Sequence, residues 1–105
     1  LIVSLAELGV IVLMFSAGLE TDIQELKKAG LWIFGSAADG TTPLYDADLK
    51  GPAAIVIGSE GEGMSRLVTE NCDFLVSIPM KGKLNSLNAS AAAAILLYEA
   101  VRQRL

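Results

Sequence analysis

The chain has 105 residues, eight Lys plus Arg against 12 Asp plus Glu for a formal charge of −4, and no histidine. Without imidazole there is no Ser-His-Asp or Cys-His catalysis and no His-ligated metal; a single cysteine, Cys72, closes no intramolecular disulfide and completes no zinc cluster. The length suits one small domain, its 52% hydrophobic and 19% charged content lies to the apolar side of a soluble domain, and the lone thiol fits a reducing, cytoplasmic setting.

The apolar excess is concentrated in residues 1–19, LIVSLAELGVIVLMFSAGL, where Glu7 is the one charge. As a helix this stretch would be about 28 Å long, close to a bilayer core, so a membrane span is one reading. Glu7, Gly9 and Gly18, and no basic residue on the N-terminal side, count against it. The other reading is a buried core helix, or a helix plus a strand, of an α/β domain. The positive n-region and the small-x-small cleavage site of a signal peptide are missing. The chain opens without Met, in mid-pattern, as a fragment or a processed product would.

Thr21, Asp22, Ile23 and Gln24 fit a capping box, Lys27 and Lys28 fall late, and Gly30 stands where a helix-ending glycine belongs; a helix is predicted over 22–29. Residues 31–35 (LWIFG) read as a short buried strand. Residues 36–52 are polar and turn-rich, a surface connection with one helical turn near 44–49. A strand at 53–57 (AAIVI) stops at the glycine-rich run GSEGEG, residues 58–63, and a helix over 64–71 follows, capped by Ser65 or a neighbour. Residues 74–78 (FLVSI) give another strand, halted by Pro79. A loop with Lys81 and Lys83 then leads through Ser86, Leu87 and Asn88 into an Ala-rich helix over 89–104. Strands apolar on both faces and separated by helices predict an α/β fold, a parallel sheet covered by helices.

Ligands of such sheets collect at the carboxyl ends of the strands, and two loops are placed there, after Ile57 and after Ile78. The first has three glycines and two carboxylates but no Lys-Ser/Thr after its last glycine, so it is not a phosphate-binding Walker loop. In the second, Pro79 removes a backbone donor, Lys81 and Lys83 bring positive charge, and Ser86 and Asn88 set two polar side chains at a helix start. Taken singly, Ser86 and Asn88 read as helix caps and the lysines as a solvated loop.

Taken together, the strand ending in GSEGEG, then CDFLVSIPM, then SLN before an Ala-rich helix ending YEAVRQR resemble the C-terminal half of the SpoU/TrmH family, over about residues 26–105. These are S-adenosylmethionine-dependent RNA ribose 2′-O-methyltransferases of the SPOUT superfamily. The resemblance implies an α/β trefoil knot, an exception to the rule against threaded chains, with residues 31–105 as the methyltransferase-like portion of one folded unit. It implies a methyl donor bound among Gly58, Ser59, Gly61, Gly63, Ile78, Pro79, Met80 and Leu87. Glu60, Ser86 and Asn88 match positions associated with catalysis or with ordering the site, and no metal is implied. Lys81 and Lys83, with the arginines of the last helix, would meet phosphates of an rRNA or tRNA; residues 77–105 carry four basic and one acidic side chain. It further implies a homodimer, compatible with the Ala-rich final helix.

The first family motif, N-x-G-x-x-x-R, is missing: no arginine precedes Arg66. Its arginine is the usual candidate for activating the ribose hydroxyl, so impaired catalysis is the expectation. Residues 1–30 instead resemble a transmembrane helix of cation:proton antiporters, which implies a chimera. The alternatives to a cofactor-binding methyltransferase half are then a non-catalytic chimeric or engineered α/β protein without ligand, or an antiporter fragment in the membrane through residues 1–19.

Overall fold

The computed structural model describes residues 2–5, 10–14, 19–37, 39–58, 66–79 and 89–105. Two strands open it, β1 (Ile2–Leu5) and β2 (Val10–Met14), paired antiparallel with Leu5 opposite Val10. The helix expected over residues 1–19 is therefore absent. An apolar run of this length is ambiguous between helix and strand, and here β-branched residues meet an open sheet edge. Among the described residues, no helix is long and apolar enough to cross a membrane.

Helix α1 (Leu19–Lys28) begins three residues before the expected start at 22, which puts Thr21 inside its first turn. Its other end matches the sequence reading. Gly30 has φ +93°, its amide donates to Lys27 O at 3.0 Å, and the Leu31 amide reaches Leu26 O at 3.1 Å. Those two bonds make a Schellman motif, with Leu26 and Leu31 both packed on the same core cluster.

The remaining elements are β3 (Trp32–Ser36), the two-residue β4 (Thr42–Pro43), a 3₁₀ turn at Leu44–Asp46, β5 (Ala53–Ile57), α2 (Arg66–Asn71), β6 (Phe74–Ser77) and α3 (Ala89–Gln103). They build one sheet in the order β1-β2-β5-β3-β6-β4, in which every pairing except β1 with β2 is parallel. All five residues of β5 are buried, as a strand covered on both faces requires.

The two faces are packed separately. Ile33, Ala54 and Val56 meet Ile23 of α1 and Val68 of α2. Phe34, Ala53, Ile55, Ile57 and Val76 meet Leu96 and Ala100 of α3, together with Leu44, Ala47 and Leu49 from the connection into β5. Each fully buried aliphatic side chain contributes about 1.5–3 kcal/mol.

Side-chain-to-backbone bonds align the N-terminal edge of the sheet. The Ile33 amide donates to Asp73 Oδ2 at 2.7 Å and the Asp73 amide to Ile33 O at 2.8 Å, which fixes the start of β6 against β3. At the end of α3, Gln103 takes the Leu49 amide on Oε1 at 2.7 Å and gives Nε2 to Ala47 O at 2.8 Å. Arg104 donates through Nε and Nη2 to the carbonyls of Lys50 and Gly51. Helix α3 thus ends beside the segment that leads into β5, running back along the sheet from the carboxyl ends of the strands to their amino ends.

Candidate functional site

Parallel register sets the geometry of the carboxyl edge. Ser36 of β3 is aligned with Ile57 of β5 on one side and with Val76 of β6 on the other, and Met14 of β2 is aligned with Ile57. The two motif-bearing segments therefore leave the same edge of the sheet, flanking β3 two strand spacings apart, about 10 Å. Gly58 opens one and Ile78 with Pro79 opens the other. Gly58 is half-buried, Ile78 is half-buried against the α3-side core, and Pro79 is exposed.

A third segment bounds this edge. After β3 the chain turns through Ala37, whose amide donates to Val76 O at 3.0 Å, and Gly40, whose amide donates to Ala37 O at 3.1 Å. It then passes β6 to pair as β4 on the far side, Thr42 opposite Val76. The passage is tight: a Cβ at Gly40 would lie 2.7 Å from Leu75 O and 2.9 Å from the carbonyl carbons of Leu75 and Val76. Only a residue without a side chain fits so close to another backbone. The sequence reads residues 36–52 as a turn-rich surface connection; the close passage was not legible, because its partner strand lies 35 residues ahead.

Of the residues expected to form the site, Gly58, Ile78 and Pro79 are brought to this one edge. Ser59, Glu60, Gly61, Gly63, Met80, Lys81, Lys83, Ser86, Leu87 and Asn88 lie outside the described residues, as do Ser65 and the segments that the knot would thread. The arginines of the last helix lie at the amino edge. Arg104 is bound to the Lys50 and Gly51 carbonyls at the amino edge, and Arg102 forms a two-pronged pair with Glu99, Nε to Oε1 at 2.7 Å and Nη2 to Oε2 at 2.8 Å. Because α3 runs antiparallel to the strands, its C-terminal arginines end up remote from the carboxyl edge.

Among the described residues, three titratable groups are shifted by their surroundings, Arg102 upward through its hydrogen bond to Glu99. Burial pushes the Cys72 thiol up to about 11, and its Sγ donates to Val68 O at 3.3 Å, so it is a packed side chain rather than a nucleophile. Hydrogen bonds from Arg102 and then Gln103 hold the Glu99 carboxyl down to about 2. Among the described residues, no group of three or more His, Cys, Asp or Glu side chains is arranged to hold a metal ion.

The sequence model of the SpoU rRNA Methylase family matches residues 3–98. The chain belongs to that family. It is 55% identical over 82 residues to the 23S rRNA (guanosine-2'-O-)-methyltransferase RlmB of Ralstonia nicotianae, covering 78% of this chain and 33% of that protein. It is 48% identical over 96 residues to the RlmB of Vibrio parahaemolyticus, covering 91% and 39%. The SpoU methyltransferase AviRb from Streptomyces viridochromogenes, in complex with AdoMet, superposes with a TM-score of 0.73 at 40% identity over 85% of this chain and 36% of that one. An AdoMet-bound rRNA methyltransferase from Sinorhizobium meliloti gives a TM-score of 0.75 at 29% identity, covering 82% and 33%.

The chain thus spans between a third and two fifths of these relatives' lengths. The SpoU match starts at residue 3 and runs through the first 30 residues, and β2 of that segment pairs along β5 in the same sheet. The antiporter resemblance and the chimeric join inferred from residues 1–30 find no support.

Proposed function

We propose that this SpoU-family chain is the cofactor-binding portion of an S-adenosylmethionine-dependent RNA ribose 2′-O-methyltransferase, with catalysis weakened by the missing N-x-G-x-x-x-R motif. The observation that carries the reading is the departure of both motif-bearing segments from one edge of the sheet on either side of β3. The residues present there fit an adenosyl group. Gly58, half-buried, follows the fully buried β5, and Ile78, half-buried, follows β6 on the other side of β3.

Main-chain groups near Gly58, Ile78, Met80 and Leu87 would hold the adenine, with Ser59, Gly61, Gly63 and Pro79 shaping the backbone around it. When bound, S-adenosylmethionine supplies an electrophilic methyl group on a sulfonium. Glu60, Ser86 and Asn88 are the polar groups this chain offers to orient the site or to take the proton of the ribose 2′-hydroxyl. That hydroxyl ionises far above neutral pH and needs a positioned base or a stabilising positive charge. The chain has no arginine before Arg66 to provide the latter from its N-terminal half. Lys81 and Lys83 would face phosphates of rRNA or tRNA. A trefoil knot in which the Ile78-Pro79-Met80 and Ser86-Leu87-Asn88 motifs are tucked through the loop of the glycine-rich motif, a cytoplasmic setting and self-association through α3 complete the proposal.

Calorimetry with S-adenosylmethionine and S-adenosylhomocysteine, beside transfer of labelled methyl to rRNA and tRNA, tests both halves. Saturable cofactor binding with little transfer is the expected result. No binding, together with no rise in melting temperature on adding cofactor, would remove the cofactor reading, because a ligand of the native state must stabilise it by mass action. Robust turnover would remove the argument from the missing arginine and leave the cofactor site standing.

A further inference from the structure

At the opposite, amino edge of the sheet a groove of about 290 Å³ is lined by Trp32, Phe34, Phe74, Asp48, Gly51 and Pro52. Three aromatic rings make one wall. Phe34 and Phe74 stack with centroids 5.2 Å apart, and Trp32 stands 6.1 Å from Phe74 at a 44° tilt. Trp32 is 57% exposed and Phe74 42%, large apolar surfaces left to solvent at the start of otherwise well-covered strands. Asp48 is the one charged residue in the lining, and its carboxylate is anchored, Oδ1 accepting the Lys50 amide at 3.1 Å. Arg104, which also reaches this edge, gives its Nε and Nη2 to the Lys50 and Gly51 carbonyls.

Aromatic faces attract a cation through their negative quadrupole, and a carboxylate at the rim accepts the paired N–H groups of a guanidinium. A net charge of −4 steers basic partners toward the molecule. A nucleotide could stack on the same rings, but its phosphate would approach the Asp48 carboxylate. We infer that this groove receives an arginine side chain from an exposed basic segment of a partner protein, the guanidinium lying against the Trp32 and Phe74 rings and hydrogen-bonded to Asp48. The site is separate from the proposed cofactor edge and does not depend on it.

Trp32 is the only tryptophan of the chain, so its emission reports directly on the groove. The whole chain is titrated with acetyl-Gly-Arg-Gly-amide and with the citrulline peptide, which keeps the shape and loses the charge. A saturable change with the arginine peptide is expected, weaker by about five- to tenfold with citrulline and by a similar factor in Asp48→Asn. The citrulline arm uses the unaltered chain, so it needs no variant to fold. Equal affinity for the two peptides, or no saturable change, overturns the inference. So does tighter binding of adenosine monophosphate, which would make the groove a base-stacking site. Emission that shifts with protein concentration alone would assign it to a second copy of the chain and overturn it equally.

Discussion

The two edges of the sheet are built by different means. At the amino edge, side chains grip backbone: Asp73 holds Ile33, Gln103 holds Ala47 and Leu49, and Arg104 holds Lys50 and Gly51. At the carboxyl edge, the described contacts are backbone to backbone, Ala37 on Val76 and Gly40 against Leu75. A side-chain clamp satisfies buried polar groups and fixes a framework. A backbone-only edge, shaped by glycine and proline, keeps main-chain donors and acceptors available to a ligand. Among the described residues, the polar side-chain fastening lies at the end away from the proposed cofactor site.

Removing the strongest clamp gives the largest expected effect. Gln103→Ala leaves the Leu49 amide and the Ala47 carbonyl without their partner, and Leu49 is fully buried. Each unsatisfied buried group costs about 1–3 kcal/mol, so a loss of about 2–4 kcal/mol in a urea titration is expected. Cofactor affinity of the protein that remains folded should not change. Weaker cofactor binding without loss of stability would mean that the two edges are not independent, and the contrast drawn between them would fail.

Gly40→Ala tests the other edge. The new methyl would meet three backbone atoms at 2.7–2.9 Å, and backbone does not yield as a side-chain tip does. An overpacking cost of about 1–3 kcal/mol is expected. The displaced segment abuts Leu75 and Val76, separated from Ile78 and Pro79 by Ser77 alone. The variant should therefore lose cofactor affinity several-fold even at temperatures where circular dichroism shows it folded. Unaltered affinity would detach the 37–41 segment from the site.

The legibility of these regions follows the same division. β5 was readable to the residue because AAIVI is apolar on both faces, and α3 ended within one residue of its expected limit. Gly30 was readable because a helix end with positive φ selects glycine locally. Other features depend on neighbours distant in sequence. β4 is two residues long and contains Pro43; it is a strand only because β6 offers an edge to it. Residues 2–5 and 10–14 became strands for the same reason, once β5 supplied a parallel partner to β2. Arg104 read as a free cation for phosphate, since nothing local foretells that it would be spent on carbonyls more than 50 residues earlier. At the site, family motifs marked the loops after Ile57 and Ile78, whereas the Gly40 passage that bounds them carries no motif.

The smallest effect concerns pH and joins the clamps to one another. Glu99 is 8% exposed and accepts hydrogen bonds from Arg102 and, at 2.8 Å, from Gln103, the residue that also grips the 47–49 segment. Its carboxyl titrates at about 2 in the folded chain against an ordinary 4.5. Between those values the unfolded chain binds more protons, so the contribution is complete above the ordinary value and is lost as pH falls toward about 2. Arg102 stays largely in solvent, which screens the pair and keeps the effect modest. Urea midpoints at about pH 7, 4 and 3 should fall less steeply in Glu99→Gln than in the unaltered chain. In Gln103→Ala the same Glu99→Gln substitution should change the slope less, because one of the bonds holding the carboxylate charged is already gone. Acid should then loosen the amino edge. Identical pH slopes in all of these variants would show that Glu99 is not part of the clamp and that the amino edge is held by Gln103 and Arg104 without it.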